Sequence, residues 1–184
     1  MIPNLCKVLH IAAGFKPLVA SDLEQTGFLD VDMVVNYDPL NDGRFAGTIA
    51  GFTSDHSDLF YSNTEDGVNK YFPHGSFDLI IGVSPYGFPL VTTWADRKLK
   101  PGGYVLVVAN SSNAYATKDN KLFESGTDLK NKYREIGQGE AGGWIDWVVA
   151  KIKQDYPSCK TDLGDPTPLN WDKKLLKTPT INVE

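Results

Sequence analysis

Histidine and cysteine are scarce in this 184-residue chain, which carries three His and two Cys, at positions 6 and 159. The cysteines fall outside any CxxC spacing, which excludes a disulfide framework and argues against a structural zinc site. Cys6 and Cys159 read as free thiols, with a single bridge between them left open. Three isolated histidines without ligand spacing give no metal centre, and His56 and His74 read as solvated side chains. No apolar run approaches the roughly 20 residues of a membrane span. No basic segment followed by an apolar stretch stands at residues 1–5, so no signal peptide is readable. Positive charge is not in excess either: 18 Lys and Arg against 23 Asp and Glu give a formal net charge of −5. A broad non-specific nucleic-acid surface would be basic. No nucleophile elbow is present, so serine-hydrolase chemistry is not indicated. The cytosol is the expected place of action.

What is present fits one domain over residues 1–184, long enough to bury a core without staples. Apolar runs at 8–13, 33–37, 77–83 and 104–109 read as strands, the first three closed by Gly14, Asp38-Pro39 and Ser84-Pro85 and the fourth opened by Gly102-Gly103. Asp38-Pro39 ends the second, because a residue before proline is pushed out of the helical region. Weaker strand signals lie at 48–52 and 59–62, with a helical turn near 66–71. Helices are expected at 18–26, 90–99, 127–136 and 143–155, the last because Trp144, Trp147, Val148 and Ile152 fall at helical spacing. Residues 178–183 read as an edge strand or docked tail. Strands apolar on both faces, alternating with helices, predict an α/β, Rossmann-like three-layer domain with a mostly parallel sheet and helices on both faces. Its core spans 7–110, with C-terminal helices and a tail over 111–184.

Such sheets bind ligands beyond the carboxyl ends of their strands, which directs attention to the loops after Ala13, Tyr37, Val83 and Ala109. In the first, Ala12, Ala13 and Gly14 are small enough for the backbone to approach a nucleotide or amino-acid moiety, or form a plain strand-to-helix turn. Asp38 is placed to accept hydrogen bonds from a ribose diol, or serves as a turn-former beside Pro39. Ser84, Pro85 and Tyr86, followed by Gly87 and Phe88, could grip a planar amine or aromatic substrate, or form a proline-fixed turn with core aromatics. An aromatic ring there would also favour a cationic sulfonium. Trp144 and Trp147 read as core residues. Lys118, Lys121, Lys130, Lys132 and Arg134 read as a solvated helix face, or as a seat for an acidic substrate such as RNA.

Phe77-Asp78-Leu79-Ile80-Ile81, followed about twenty residues later by Leu99-Lys100-Pro101-Gly102-Gly103 and an apolar strand, resembles the fourth strand and the turn into the fifth strand of class I S-adenosylmethionine-dependent methyltransferases. The resemblance covers roughly residues 7–110 and implies S-adenosylmethionine as cofactor. By position, His10 stands where that family usually has an acid, and Ala12, Ala13 and Gly14 replace its glycine-rich turn, with Lys16 where a further glycine is common. Asp38 matches the ribose-binding acid. Ser84-Pro85-Tyr86 is similar to the acceptor motif of amino-methylating members, with Tyr86 in place of a second proline. The adenine-contacting acid of the third strand has no clean match; Asn63, Glu65 and Asp66 are the candidates. The chain opening directly on its first strand, and the spacing of these motifs, also resemble methyltransferase-like C-terminal domains of bacterial polymorphic toxins, including contact-dependent inhibition systems. That resemblance implies delivery within a larger secreted protein, a cytosolic target and a dedicated immunity protein. The sequence-level expectation is a methyltransferase with a degenerate cofactor loop, whose acceptor is a small molecule, protein or RNA. The alternatives are a non-catalytic Rossmann-like protein-binding module or another nucleotide-dependent activity on the same fold.

Overall fold

A computed structural model of the chain describes residues 6–11, 31–40, 59–139 and 147–153. Five strands, β1 (Cys6–Ile11), β2 (Val31–Tyr37), β3 (Leu59–Ser62), β4 (Phe77–Val83) and β5 (Leu99–Ala109), run parallel to one another. Two more, β6 (Tyr133–Gly139) and β7 (Trp147–Lys153), complete a seven-stranded sheet ordered β3-β2-β1-β4-β5-β7-β6. β7 is antiparallel to β5 and β6 antiparallel to β7. The architecture is α/β and Rossmann-like, with the strand order reversing between β1 and β4.

The central strands form because their residues suit burial on both faces. Leu9 and Ile11 of β1, Val35 of β2, Ile80 of β4 and Val107 of β5 share one core cluster with Phe60, Phe72 and Phe77. Neighbouring positions of opposite parity, Val8, Val34, Leu79, Ile81 and Val108, are buried as well. Two-sided burial is the condition under which a parallel sheet is stable, and it explains near-continuous apolar runs in place of alternation.

Helix α1 (Glu65–Asn69) starts at Thr64, whose hydroxyl accepts from the Gly67 N–H at 3.1 Å. The expected helix over 90–99 is shorter, α2 (Thr93–Lys98). Its start is set by Thr92, whose hydroxyl accepts from Ala95 N–H at 3.1 Å. Val91 is held extended by bonds from its N–H to Leu122 and to its carbonyl from Glu124, both 3.0 Å. The Leu99-to-Gly103 turn is drawn into β5 as an irregularity: Phe77 pairs with Leu99, yet Leu79 pairs with Tyr104. Gly102, at φ 74°, supplies the left-handed residue this needs. Beyond β5 lie α3 (Ala114–Thr117), α4 (Asp119–Leu122) and a 3-10 turn at Leu129–Lys132.

The two C-terminal helices are corrected by the structure. Residues expected in a helix at 127–136 form the 3-10 turn and β6, and those expected at 143–155 include β7. Helical spacing of Trp147, Val148 and Ile152 competes here with a short β-branched run, and the open edge of β5 decides the outcome: β7 pairs along it from Tyr104↔Ile152 to Ala109↔Trp147. Lys132 and Arg134 therefore lie on a 3-10 turn and a strand, not on one helix face. The weak strand signal at 59–62 and the helical turn near 66–71 correspond to β3 and α1. The helix expected at 18–26, the strand at 48–52, Trp144 and the tail at 178–183 lie outside the described residues. Among the described residues no helix is long and apolar enough to cross a membrane.

Candidate functional site

The strand-order reversal places β1 between β2 and β4, so the loops after those two strands flank the carboxyl end of β1. Asp38 follows β2 directly and is buried. Its N–H donates to the Ser62 carbonyl at 3.1 Å, and its Oδ1 accepts from Leu40 N–H at 2.9 Å. The carboxylate therefore forms an Asx turn, as expected of a turn-former beside Pro39. Beside it the Tyr37 hydroxyl is pushed up to about 12, by burial first and then by the charges of Glu65 and Asp38. Tyr37 packs on Trp94 with ring centroids 4.7 Å apart.

His10 is the penultimate residue of β1, buried in the sheet and paired with Asn36. Asn36 Nδ2 donates to the Phe60 carbonyl at 3.3 Å, which turns its Oδ1 toward His10 Nδ1, 2.7 Å away. That oxygen can only accept, so Nδ1 carries the proton. The imidazole thus links β1 to β2, and through Asn36 to β3, at the position where an acid was anticipated. Ala12, Ala13, Gly14 and Lys16 lie outside the described residues.

On the other flank Ser84 follows β4. Its N–H continues the ladder to Val108 O at 2.7 Å, but its φ is 48°. A non-glycine residue in the left-handed region costs on the order of 1 kcal/mol or more and persists only where neighbours hold it. Pro85 is buried, whereas Tyr86 is 76% exposed. Gly87, at φ 90°, leaves room for Leu40: a Cβ there would overlap Leu40 Cδ1. This contact joins the loop carrying Asp38 to the loop carrying Ser84, Pro85 and Tyr86.

Sequence reading pointed to the loop after Ala109 without selecting a residue in it. The structure singles out Asn113. Its Nδ2 donates to the Pro85 carbonyl at 2.9 Å and lies 3.5 Å from Ser84 Oγ, while its Oδ1 caps α3 by accepting from Tyr115 N–H at 2.9 Å. Tyr115 consequently stands edge-on to Tyr86, centroids 5.6 Å apart at 66°. The Lys121 ammonium lies 5.6 Å from the Tyr115 ring centre. The polar run Asn110-Ser111-Ser112-Asn113 directly after a strand was the available signal, since such residues favour caps and turns.

The candidates for the third-strand acid, Asn63, Glu65 and Asp66, are all exposed. The Glu65 carboxyl is held above its ordinary range by lost hydration first, then by the charges of Asp66 and Glu124, with Lys98 opposing.

No family model matches the chain. No curated protein matches it. Among solved structures, MtNAS in complex with MTA and tNA is similar at a TM-score of 0.50 and 11% identity, over 83% of this chain and 55% of that one. The chain thus spans about half the length of that protein. A 16S rRNA (adenine(1408)-N(1))-methyltransferase variant from Catenulisporales acidiphilia is similar at 0.49 and 11% identity, over 82% of this chain and 85% of that one. An rRNA methylase from Streptococcus thermophilus is similar at 0.46 and 12% identity, over 83% and 89%. At these identities the likeness is one of fold.

Proposed function

We propose that this domain transfers a methyl group from S-adenosylmethionine to a planar amine, with Asp38 on the cofactor side and the Ser84-Pro85-Tyr86 turn on the acceptor side. The observation that carries the reading is the Leu40–Gly87 contact, which brings the Asp38 loop and the acceptor turn together across the end of β1. Asp38 fits the ribose diol chemically: it is a carboxylate buried at a strand end, with its position fixed by the Leu40 turn. Ala12, Ala13 and Gly14 are assigned to the cofactor from their small size in the sequence after β1, and His10 sets the end of β1 through Asn36. When bound, the cofactor supplies a methyl already activated by its sulfonium, so the chain needs no strong acid–base pair. Its work is alignment, which can account for much of a rate enhancement. Ser84 Oγ and the Pro85 carbonyl are acceptors suited to an NH2 group, and Tyr86 offers a face on which a planar ring can lie.

Calorimetric titration of the purified domain with S-adenosylmethionine and S-adenosylhomocysteine tests this. Saturable binding that weakens at least tenfold in Asp38→Ala is expected. No heat at millimolar ligand overturns methyl transfer and leaves the protein-binding module or another nucleotide-dependent activity. We further propose, from the resemblance of the motif spacing alone, that the domain acts as a toxin effector on a cytosolic target. That reading predicts growth arrest on cytosolic expression, relieved by a dedicated immunity protein, and harmless expression removes it.

A further inference from the structure

The acceptor turn already holds an NH2 group in this structure, and that group belongs to the chain itself. Asn113 Nδ2 lies 2.9 Å from the Pro85 carbonyl and 3.5 Å from Ser84 Oγ, the two oxygens available to an incoming amine. A carboxamide NH2 and an exocyclic ring amine have the same planar shape and the same two N–H donors. We propose that Asn113 is a specificity-setting residue, whose side-chain NH2 stands in for the acceptor amine until an acceptor displaces it. The inference rests on the acceptor-turn part of the function proposed above.

Three features of the surroundings support a removable occupant. The bond to Ser84 is long and the one to Pro85 is single, so at the turn itself displacement gives up about one net hydrogen bond. The carboxamide is oriented from its other end, because Oδ1 is committed to Tyr115 N–H at 2.9 Å. It therefore presents its NH2, and not its oxygen, to the turn. Finally, Asn113 caps a helix of only four residues, so its withdrawal frees Tyr115 from its place beside Tyr86. Arrival of an amine would then open the aromatic corner in the same movement. A ligand bearing a carbonyl at the corresponding position could accept from the Ser84 hydroxyl, but it would bring no donor to the Pro85 carbonyl and could not take over that bond.

Asn113→Ser separates this role from a merely structural one. Serine is as good a helix cap as asparagine, but its shorter side chain does not carry an NH2 to Pro85. The full-length chain, wild type and variant, is titrated with cytidine and with uridine, which differ in an amine against a carbonyl. S-adenosylhomocysteine is kept in excess, and the Gly87 amide resonance is followed by NMR. Removal of an occupant held by about one net hydrogen bond should tighten cytidine binding about fivefold and leave uridine unchanged. Asn113→Asp, which keeps the cap but turns an oxygen toward Pro85, should show the same preference. Unchanged or weaker cytidine binding in both variants overturns the proposal and makes Asn113 a brace for the turn. An equal gain for uridine, or no cytidine binding by any of the proteins, overturns it as well. The calorimetric titration with S-adenosylhomocysteine reports separately on the cofactor, so its failure sinks methyl transfer while the nucleoside comparison still judges Asn113.

Discussion

At the amino ends of β1, β4 and β5, charge is used to hold strands in place. Asp78 accepts from the Lys7 backbone N–H at 3.0 Å and pairs with Lys100 at 2.7 Å. Asp96 accepts from the Tyr133 hydroxyl at 2.8 Å and pairs with Lys132 at 3.4 Å and Lys153 at 3.3 Å. Lys153 also donates to the Asp96 and Leu99 carbonyls, at 2.6 and 3.0 Å. At the carboxyl ends the polar residues are committed to loop geometry instead. Asp38 shapes a turn, Ser84 sits at positive φ, and Tyr86 and Leu40 project into solvent. One end of the sheet satisfies its buried charges among themselves, and the other spends local strain and exposed apolar surface on geometry. That division fits a fold in which chemistry belongs to one end, and it predicts that mutations at the two ends should fail differently.

The largest effect is expected at the amino end. Asp96→Ala leaves Lys153 buried without its carboxylate, and breaking a buried pair from one side costs about 3–5 kcal/mol. In a chain of this length that lowers Tm by on the order of 10 °C. Adding Lys153→Met should return part of the loss, because it removes the unpaired buried charge while the Tyr133 hydroxyl still lacks its acceptor. Binding of S-adenosylhomocysteine, measured well below Tm, should stay as in the wild type. A thermal shift under about 2 °C would show the network to be solvated and would erase the contrast between the two ends.

Gly87→Ala probes the carboxyl end. Alanine at φ 90° is strained and its Cβ overlaps Leu40 Cδ1, for a stability cost of about 1–3 kcal/mol. Here binding should suffer alongside stability, since a strained residue at φ 90° shifts the loop that packs on Leu40 and carries Ser84, Pro85 and Tyr86. An S-adenosylhomocysteine affinity that falls at least fivefold in Gly87→Ala, but not in Asp96→Ala, would sharpen the comparison. Equal affinities in both would break it.

The same two ends differ in how well the sequence announced them. β1, β2, β4 and β5 are continuous apolar runs bounded by Gly, Pro or Asp, a pattern that only two-sided burial demands, so their parallel arrangement was legible. Asp38 and the Ser84-to-Tyr86 turn were found as the residues closing those runs. The β6–β7 hairpin was not legible, because the Trp147–Lys153 segment satisfies helical spacing and strand propensity together, and only pairing with β5 chooses. The Asp96 network depends on contacts across 36, 37 and 57 residues, which no local pattern encodes. Asn113 falls between these cases. Its capping role was readable from the polar run after β5, but its reach to Pro85, 28 residues away, was not.

The smallest effect concerns the junction between α2 and the segment after α4, where Glu124 Oε2 accepts from the Thr93 N–H at 2.7 Å and from its hydroxyl at 2.5 Å. These bonds, the hydroxyl's first, hold the Glu124 carboxyl below the ordinary carboxylate range. A carboxylate whose folded pKa is depressed contributes stability that is complete above the unfolded value, about 4.3, and is lost as pH falls through the folded one. Because Glu124 is only partly buried, solvent screening limits the contribution to about 1 kcal/mol. Thr93→Val keeps the backbone donor and removes the hydroxyl, so denaturant midpoints of variant and wild type should differ most above pH 5 and converge toward pH 3. A difference that persists unchanged into acid would assign the loss to packing at α2. The charge of Glu124 would then have no part in holding that helix.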